Sequence, residues 1–173
     1  MKKLFLVLFL FYFSSFNPLF SATVIHAGLL INGESSVPSP EMSIVIEGSK
    51  IKAIETGYIT PDSEDEFIDL SGYTVLPGLM DMHVHLSSEY SKNSYQEKIT
   101  LNTGDYAIRA VSNAEKTLMA GFTSVRNLGD SGGVSISLRN AIKKGIVIGP
   151  RIFSSGTTIA SSGGHGDSTN SLN

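Results

Sequence analysis

Val75-Leu76-Pro77-Gly78-Leu79-Met80-Asp81-Met82-His83-Val84-His85-Leu86 is the stretch on which the reading of this chain turns. Pro77-Gly78 punctuates the chain, and residues 79–86 then run as an apolar strand with polar residues at alternate positions. Successive strand side chains alternate faces, so Asp81, His83 and His85 are expected on one face and Met80, Met82 and Val84 on the other. Two imidazoles at i and i+2 on a strand can reach one metal ion, and neutral histidine nitrogens are good zinc ligands. A carboxylate one step below them, Asp81, is placed to orient a ring from behind the ligand shell. By itself His-x-His is a weak signal, because two polar residues near a strand end give the same spacing. The flanking sequence decides what it means.

Downstream, residues 87–103 are polar and irregular. From Asp105 to Ala120 the period becomes helical, with Ile108, Val111, Ala114 and Leu118 recurring at three- and four-residue steps. Lys116 and the following Gly121 are C-terminal signals for that helix. Residues 122–128 read as a strand and 129–133 as a loop. A second helix is expected over 134–144, with Leu138, Ala141 and Ile142 inward, Lys143-Lys144 suiting its C-terminal dipole and Gly145 stopping it. Residues 151–155 read as a third strand, leading into the Gly/Ser-rich loop 161–167. Strand and helix alternate, which implies an α/β fold with a parallel sheet. The polar loops after each strand share one end of that sheet, the end where α/β barrels place their chemistry.

Upstream the pattern is different. Residues 23–31 are an apolar run closed by Asn32-Gly33, and Pro38 and Pro40 mark a loop. The β-branched runs 43–47 and 51–54 flank Gly48-Ser49-Lys50 and predict a hairpin. Residues 67–70 and 73–76, either side of Ser71-Gly72, read as another strand pair. Residues 22–76 are thus expected to form a small, mostly antiparallel β subdomain. Before them, Lys2-Lys3, an apolar run from Leu4 to Phe13 and the small pair Ser21-Ala22 describe a secretory signal peptide over residues 1–21. The apolar run is short of the ~20 residues a membrane span needs, so no stable span is expected after cleavage. Export to the periplasm or medium follows.

Composition bounds the remaining possibilities. Hydrophobic content of 41% with 17% charged residues fits a folded chain. The net charge of −3 shows no basic excess of the kind a nucleic-acid partner requires. With no cysteine, disulfides, thiolate metal sites and a cysteine nucleophile are excluded.

The run VLPGLMDMHVHL, together with Ala120-Gly-Phe-Thr-Ser-Val-Arg126 and Gly149-Pro-Arg-Ile152, resembles the amidohydrolase superfamily. GFTSVRNLGD with SSGGHGDSTN is similar to its imidazolonepropionase-related branch, which includes Xaa-Pro dipeptidases and hydrolases of N-acylated amino acids. The resemblance implies a (β/α)8 barrel, of which residues 77–173 would hold about three strands. It implies one or two divalent metal ions, usually zinc, with His83 and His85 as the first-strand ligands. It further implies a small-molecule or dipeptide substrate and hydrolysis of an amide or related bond. In that family the other ligands are a carboxylated lysine on strand four, histidines on strands five and six, and an aspartate on strand eight. All would lie beyond Asn173, so residues 1–173 by themselves are expected to be inactive. A short secreted binding protein built from the same fold is the competing reading.

Other residues divide by position. His165, between Gly164 and Gly166, either contacts substrate or is a mobile loop histidine. His26 is expected to be structural. Asp130 either lines the mouth of the site or caps its loop, and Arg126 is expected in a structural ion pair. Asn127 departs from the family pattern, where Asp commonly follows Val-Arg.

Overall fold

A computed structural model describes residues 21–130 and 132–167. The signal peptide read over residues 1–21 therefore lies, except for its last residue, outside the described residues. So do Ser131 and the end of the SSGGHGDSTN run. The chain divides into two compact units between Pro77 and Gly78.

The first unit is a four-stranded sheet of order β3-β2-β1-β4, made from β1 (Thr23–Leu30), β2 (Ser39–Glu47), β3 (Lys50–Thr56) and β4 (Glu66–Val75). The expected hairpin is present: β2 and β3 pair antiparallel, Glu47 against Lys50, with Gly48 at φ +60° in the turn. The loop expected around Pro38 and Pro40 gives way early, since Pro40 already pairs with Leu29 in the antiparallel β1–β2 ladder. The second correction concerns β4, which is one strand and lies parallel to β1. Ser71-Gly72 is a bulge and not a reversal: Ala27 pairs with Leu70, but Leu29 pairs with Thr74. The Asp69 carboxylate accepts the Ser71 N–H at 2.9 Å, and Gly28 faces the bulged backbone so closely that a Cβ there would stand 2.0 Å from the Ser71 carbonyl oxygen. Ala27, Leu30 and Ile44 form the core of this unit. His26 is structural: its Nε2 lies 2.8 Å from the Ile59 carbonyl, and its ring stacks on Tyr58 and meets the edge of Phe67.

The second unit runs β5 (Leu79–Val84), α1 (Ser94–Thr100), α2 (Thr103–Met119), β6 (Phe122–Asn127), α3 (Val134–Lys143) and β7 (Arg151–Ser154). Its three strands form a parallel sheet of order β5-β6-β7. Helix α2 begins two residues before the expected Asp105. Asn102 accepts from the N–H groups of Gly104 and Asp105, while the Asp105 carboxylate accepts from the Asn102 N–H. This capping box satisfies donors that a helix start otherwise leaves open. Helix α1 falls within the stretch read as irregular. It buries no residue, so it leaves no apolar period to read, and it is tied to α2 by the Glu97–Arg109 ion pair at 2.7 Å. Ala110 and Ala114 of α2, Val134 and Leu138 of α3, Val125, Ile152 and Leu86 form one buried cluster between the helices and one face of the sheet.

Candidate metal centre

Strand β5 ends at Val84, so His85 and Leu86 already belong to the loop beyond it. The ladder is irregular just before this point. Asp81 pairs with Val125, and the next pair is Val84 with Asn127, so β5 advances three residues while β6 advances two. Paired residues in a parallel ladder share a face, and Val125 is buried among the helix-facing core. Asp81 and Val84 therefore both point to the helix side, and strict alternation is lost between them. The expectation that Asp81 shares a face with the two histidines fails for this reason. Its carboxylate accepts the His83 backbone N–H at 2.9 Å, a local bond that shapes the bulge. Arg126, expected in an ion pair, instead donates its Nε to the Met82 carbonyl at 2.7 Å within the same irregular stretch.

His83 and His85 come together. Their ring centroids are 5.4 Å apart with the planes 66° from parallel. Two imidazoles bound tetrahedrally to one zinc, with Zn–N at ~2.0–2.1 Å, have centres about 5 Å apart, so the spacing fits a shared ion. The His85 Nδ1 lies 2.9 Å from the Gly129 carbonyl oxygen, which can only accept, so the contact is a hydrogen bond when Nδ1 carries the proton, and in the neutral ring that tautomer keeps the lone pair on Nε2. Among the described residues no group of three or more His, Asp or Glu side chains could hold a metal ion. Two imidazoles of this kind would supply half of a four-coordinate zinc shell.

Behind the pair lies a network that single residues in the sequence do not announce. Asn127 is fully buried; its Oδ1 accepts the Leu86 N–H at 2.9 Å, and its Nδ2 donates to the Gly129 carbonyl at 3.3 Å and to Asp130 Oδ2 at 3.4 Å. Asn113 of α2 donates to the Leu86 carbonyl at 3.0 Å. Asp130 resolves toward capping: Oδ2 also accepts the Ser135 N–H in the first turn of α3 and the Ser135 hydroxyl, while Oδ1 is buried with no partner. The signal for this cluster in the sequence was Asn127 itself, the residue out of keeping with its surroundings.

His165 is exposed, in a loop closed by Gly163 N–H to Asp167 Oδ2 at 2.9 Å. That loop approaches the centre indirectly. A Cβ on the neighbouring Gly166 would stand 2.9 Å from Thr158 Cγ2, and one on Gly129 would stand 2.0 Å from Thr158 Oγ1. A recess of about 410 Å³ between the end of β5 and α2 is lined by Asp81, His85, Glu89, Asn113 and Lys116 and does not include His83. A larger one, about 750 Å³, lies against Arg126, Arg139, Arg151 and Phe153 and includes neither His83 nor His85.

The solved structure of a Xaa-Pro dipeptidase with bound methionine in the active site is 51% identical to this chain, with a TM-score of 0.80, over 87% of this chain and 37% of that one. A prolidase complexed with N-methylphosphonate-L-proline is 35% identical, TM-score 0.71, over 85% of this chain and 35% of that one. Ochratoxinase of Aspergillus niger is 28% identical over 151 residues, 84% of this chain and 30% of its own length. The chain therefore spans about a third of the proteins it resembles. The three parallel strands correspond to the start of a (β/α)8 barrel, preceded by the small β unit. With the pattern described as Amidohydrolase family matching residues 74–172, from the end of β4 through the loop of His165, this chain belongs to the amidohydrolase family.

Proposed function

We propose that these residues form the first part of a metal-dependent hydrolase of carbon–nitrogen bonds, acting on Xaa-Pro dipeptides or N-acyl amino acids. The observation that carries this reading is the approach of His83 and His85 with His85 Nδ1 already engaged, which leaves Nε2 to face an ion. His83 and His85 would hold one divalent metal, zinc by donor chemistry, and donors from strands beyond β7 would complete the shell. A bound zinc lowers the pKa of its water and polarises a carbonyl. The part played by this chain is to fix the two imidazoles at the mouth of the sheet and to anchor the loops after β5 and β6 to one another through Asn127. His165, on the loop after β7, is assigned to substrate, with the exposed ring available to a carboxylate or carbonyl of the dipeptide. Asp81 is assigned to the backbone of His83 and only indirectly to the metal.

Residues 22–173 on their own are expected to be inactive, because two ligands are half of a shell. Residues 1–21 are assigned to export, which predicts a mature N-terminus at Ala22 or Thr23 on protein recovered from the periplasm or medium. The functional reading is tested by assaying the full-length protein on a panel of Xaa-Pro dipeptides and N-acyl amino acids, before and after chelation. Turnover that chelation removes and zinc restores is the expected result. Turnover indifferent to chelation, or undiminished in His83→Ala, would contradict it.

A further inference from the structure

The Gly129 carbonyl accepts from two donors, His85 Nδ1 at 2.9 Å and Asn127 Nδ2 at 3.3 Å, so both of its lone pairs are used. Rotating the Asn127 amide by half a turn would set its NH2 against the Leu86 N–H and its oxygen against the Gly129 carbonyl and Asp130 Oδ2. The amide orientation is therefore fixed by its neighbours. Gly129 is pinned as well: its φ is +144°, and there is no room for a Cβ beside Thr158. Asn127 thus holds both sides of His85, the backbone of the next residue through Leu86 and the acceptor of the ring proton through Gly129.

From this geometry we infer that Asn127 and the Gly129 carbonyl are positioning groups that lock His85 in its Nδ1–H tautomer and present Nε2 to the metal. The inference rests on the metal-site reading above and adds to it the device that prepares the ligand before any ion arrives. The other tautomer would place a ring lone pair against a carbonyl lone pair at 2.9 Å and forfeit the hydrogen bond.

The test uses the full-length protein in two states. First, the metal-free protein in alkaline buffer, with 15N-labelled histidine, is read by two-bond proton–nitrogen correlation. His85 is expected to show a protonated Nδ1 and an unprotonated Nε2. Asn127→Leu, close in volume but without hydrogen-bonding groups, and Gly129→Ala are each expected to mix the two tautomers. Second, zinc alone is titrated into each protein. Removing the support of a metal-bound histidine costs ~10–100-fold in affinity, and that loss is expected in both variants. A wild-type His85 protonated on Nε2 would overturn the inference. So would a folded Asn127→Leu protein with the wild-type tautomer and a zinc affinity within about twofold of wild type. Failure of the wild-type protein to take zinc at all would sink the metal reading instead, and the tautomer of the metal-free ring would still decide the positioning role.

Discussion

The two sheets of this chain are dressed differently. In residues 21–77, β1, β2 and β3 follow one another as antiparallel neighbours, β4 alone returns from a distance to pair parallel with β1, and the core gathers Ala27, Leu30 and Ile44 with a few flanking side chains. In residues 78–167 the strands are parallel and each waits for a helix before the next can pair. Its helix-facing side is buried, whereas Met80, Met82 and Phe153 remain 69%, 52% and 59% exposed. Strands β5 and β7 are the outer strands of that sheet among the described residues. Antiparallel neighbours supply most of the pairing in the first sheet, while the parallel sheet covers one face with its own helices and leaves the other exposed. The proposed metal centre, His83 and His85, lies at the end of the second kind of sheet.

The largest effect that could break this comparison is expected when residues 22–173 are produced alone. The amides of the β1–β2 ladder should stay protected in hydrogen exchange, while those of β7 exchange nearly as fast as in an unfolded chain. Unpaired strand edges invite aggregation, and a whole domain is stable by only ~5–15 kcal/mol, so the missing partners weigh heavily. Equal protection of β7 and β1, with a single cooperative melt, would show that the barrel segment is self-sufficient.

Within the full-length protein, Leu138→Ala tests the helix-covered face. Leu138 is almost fully buried in the cluster under α2 and α3, and its truncation is expected to cost ~2–5 kcal/mol in urea unfolding. In the first unit the comparable stress is Gly28→Ala, which puts a methyl against the Ser71 carbonyl and should cost about 1–3 kcal/mol. A cost near zero would mean that the β1–β4 bulge relaxes freely.

Smaller effects sharpen the same contrast. Asn102→Ala removes the capping box of α2 and is expected to cost about 1 kcal/mol. Lys52→Ala removes the exposed pair with Glu47 on the β2–β3 hairpin and should change stability by under ~1 kcal/mol. Asp69 supplies a direction in pH. Hydrogen bonds from the Ser71 hydroxyl and backbone N–H, with attraction from His26, hold its carboxyl below the ordinary value near 3.8. A lowered folded pKa gives a stabilising contribution that is present above the unfolded value and lost as the pH falls through the folded one. Asp69→Asn should therefore flatten the acid limb of the stability profile and leave its neutral part unchanged in slope.

Much of this was legible in the sequence, for reasons that also explain what was not. The hairpin at Gly48, the two long helices and the three parallel strands each carry a period or a stop signal within their own residues. Three features do not. Helix α1 buries nothing and has no apolar period; it is held by an ion pair to a residue on another helix. Ser71-Gly72 reads as a turn because the bulge it forms depends on Gly28, far away in sequence but adjacent in the ladder. Asp81 was assigned its face by strict alternation, and the register shift against β6 that reverses the assignment is a property of two strands, not of one. The His83–His85 approach follows from their own spacing, but the network that supports it joins Leu86, Asn127 and Gly129 across a span of chain no local pattern reveals.

The central claim is that His83 and His85 share one metal ion through ring nitrogens on a common side. Crystals of the full-length protein grown with zinc, measured on both sides of the zinc absorption edge, test it directly. The account predicts an anomalous-difference peak within bonding distance of the Nε2 of His85 and of a ring nitrogen of His83, with His85 Nδ1 still on the Gly129 carbonyl. A zinc peak that touches neither ring, or only one of them, would contradict it.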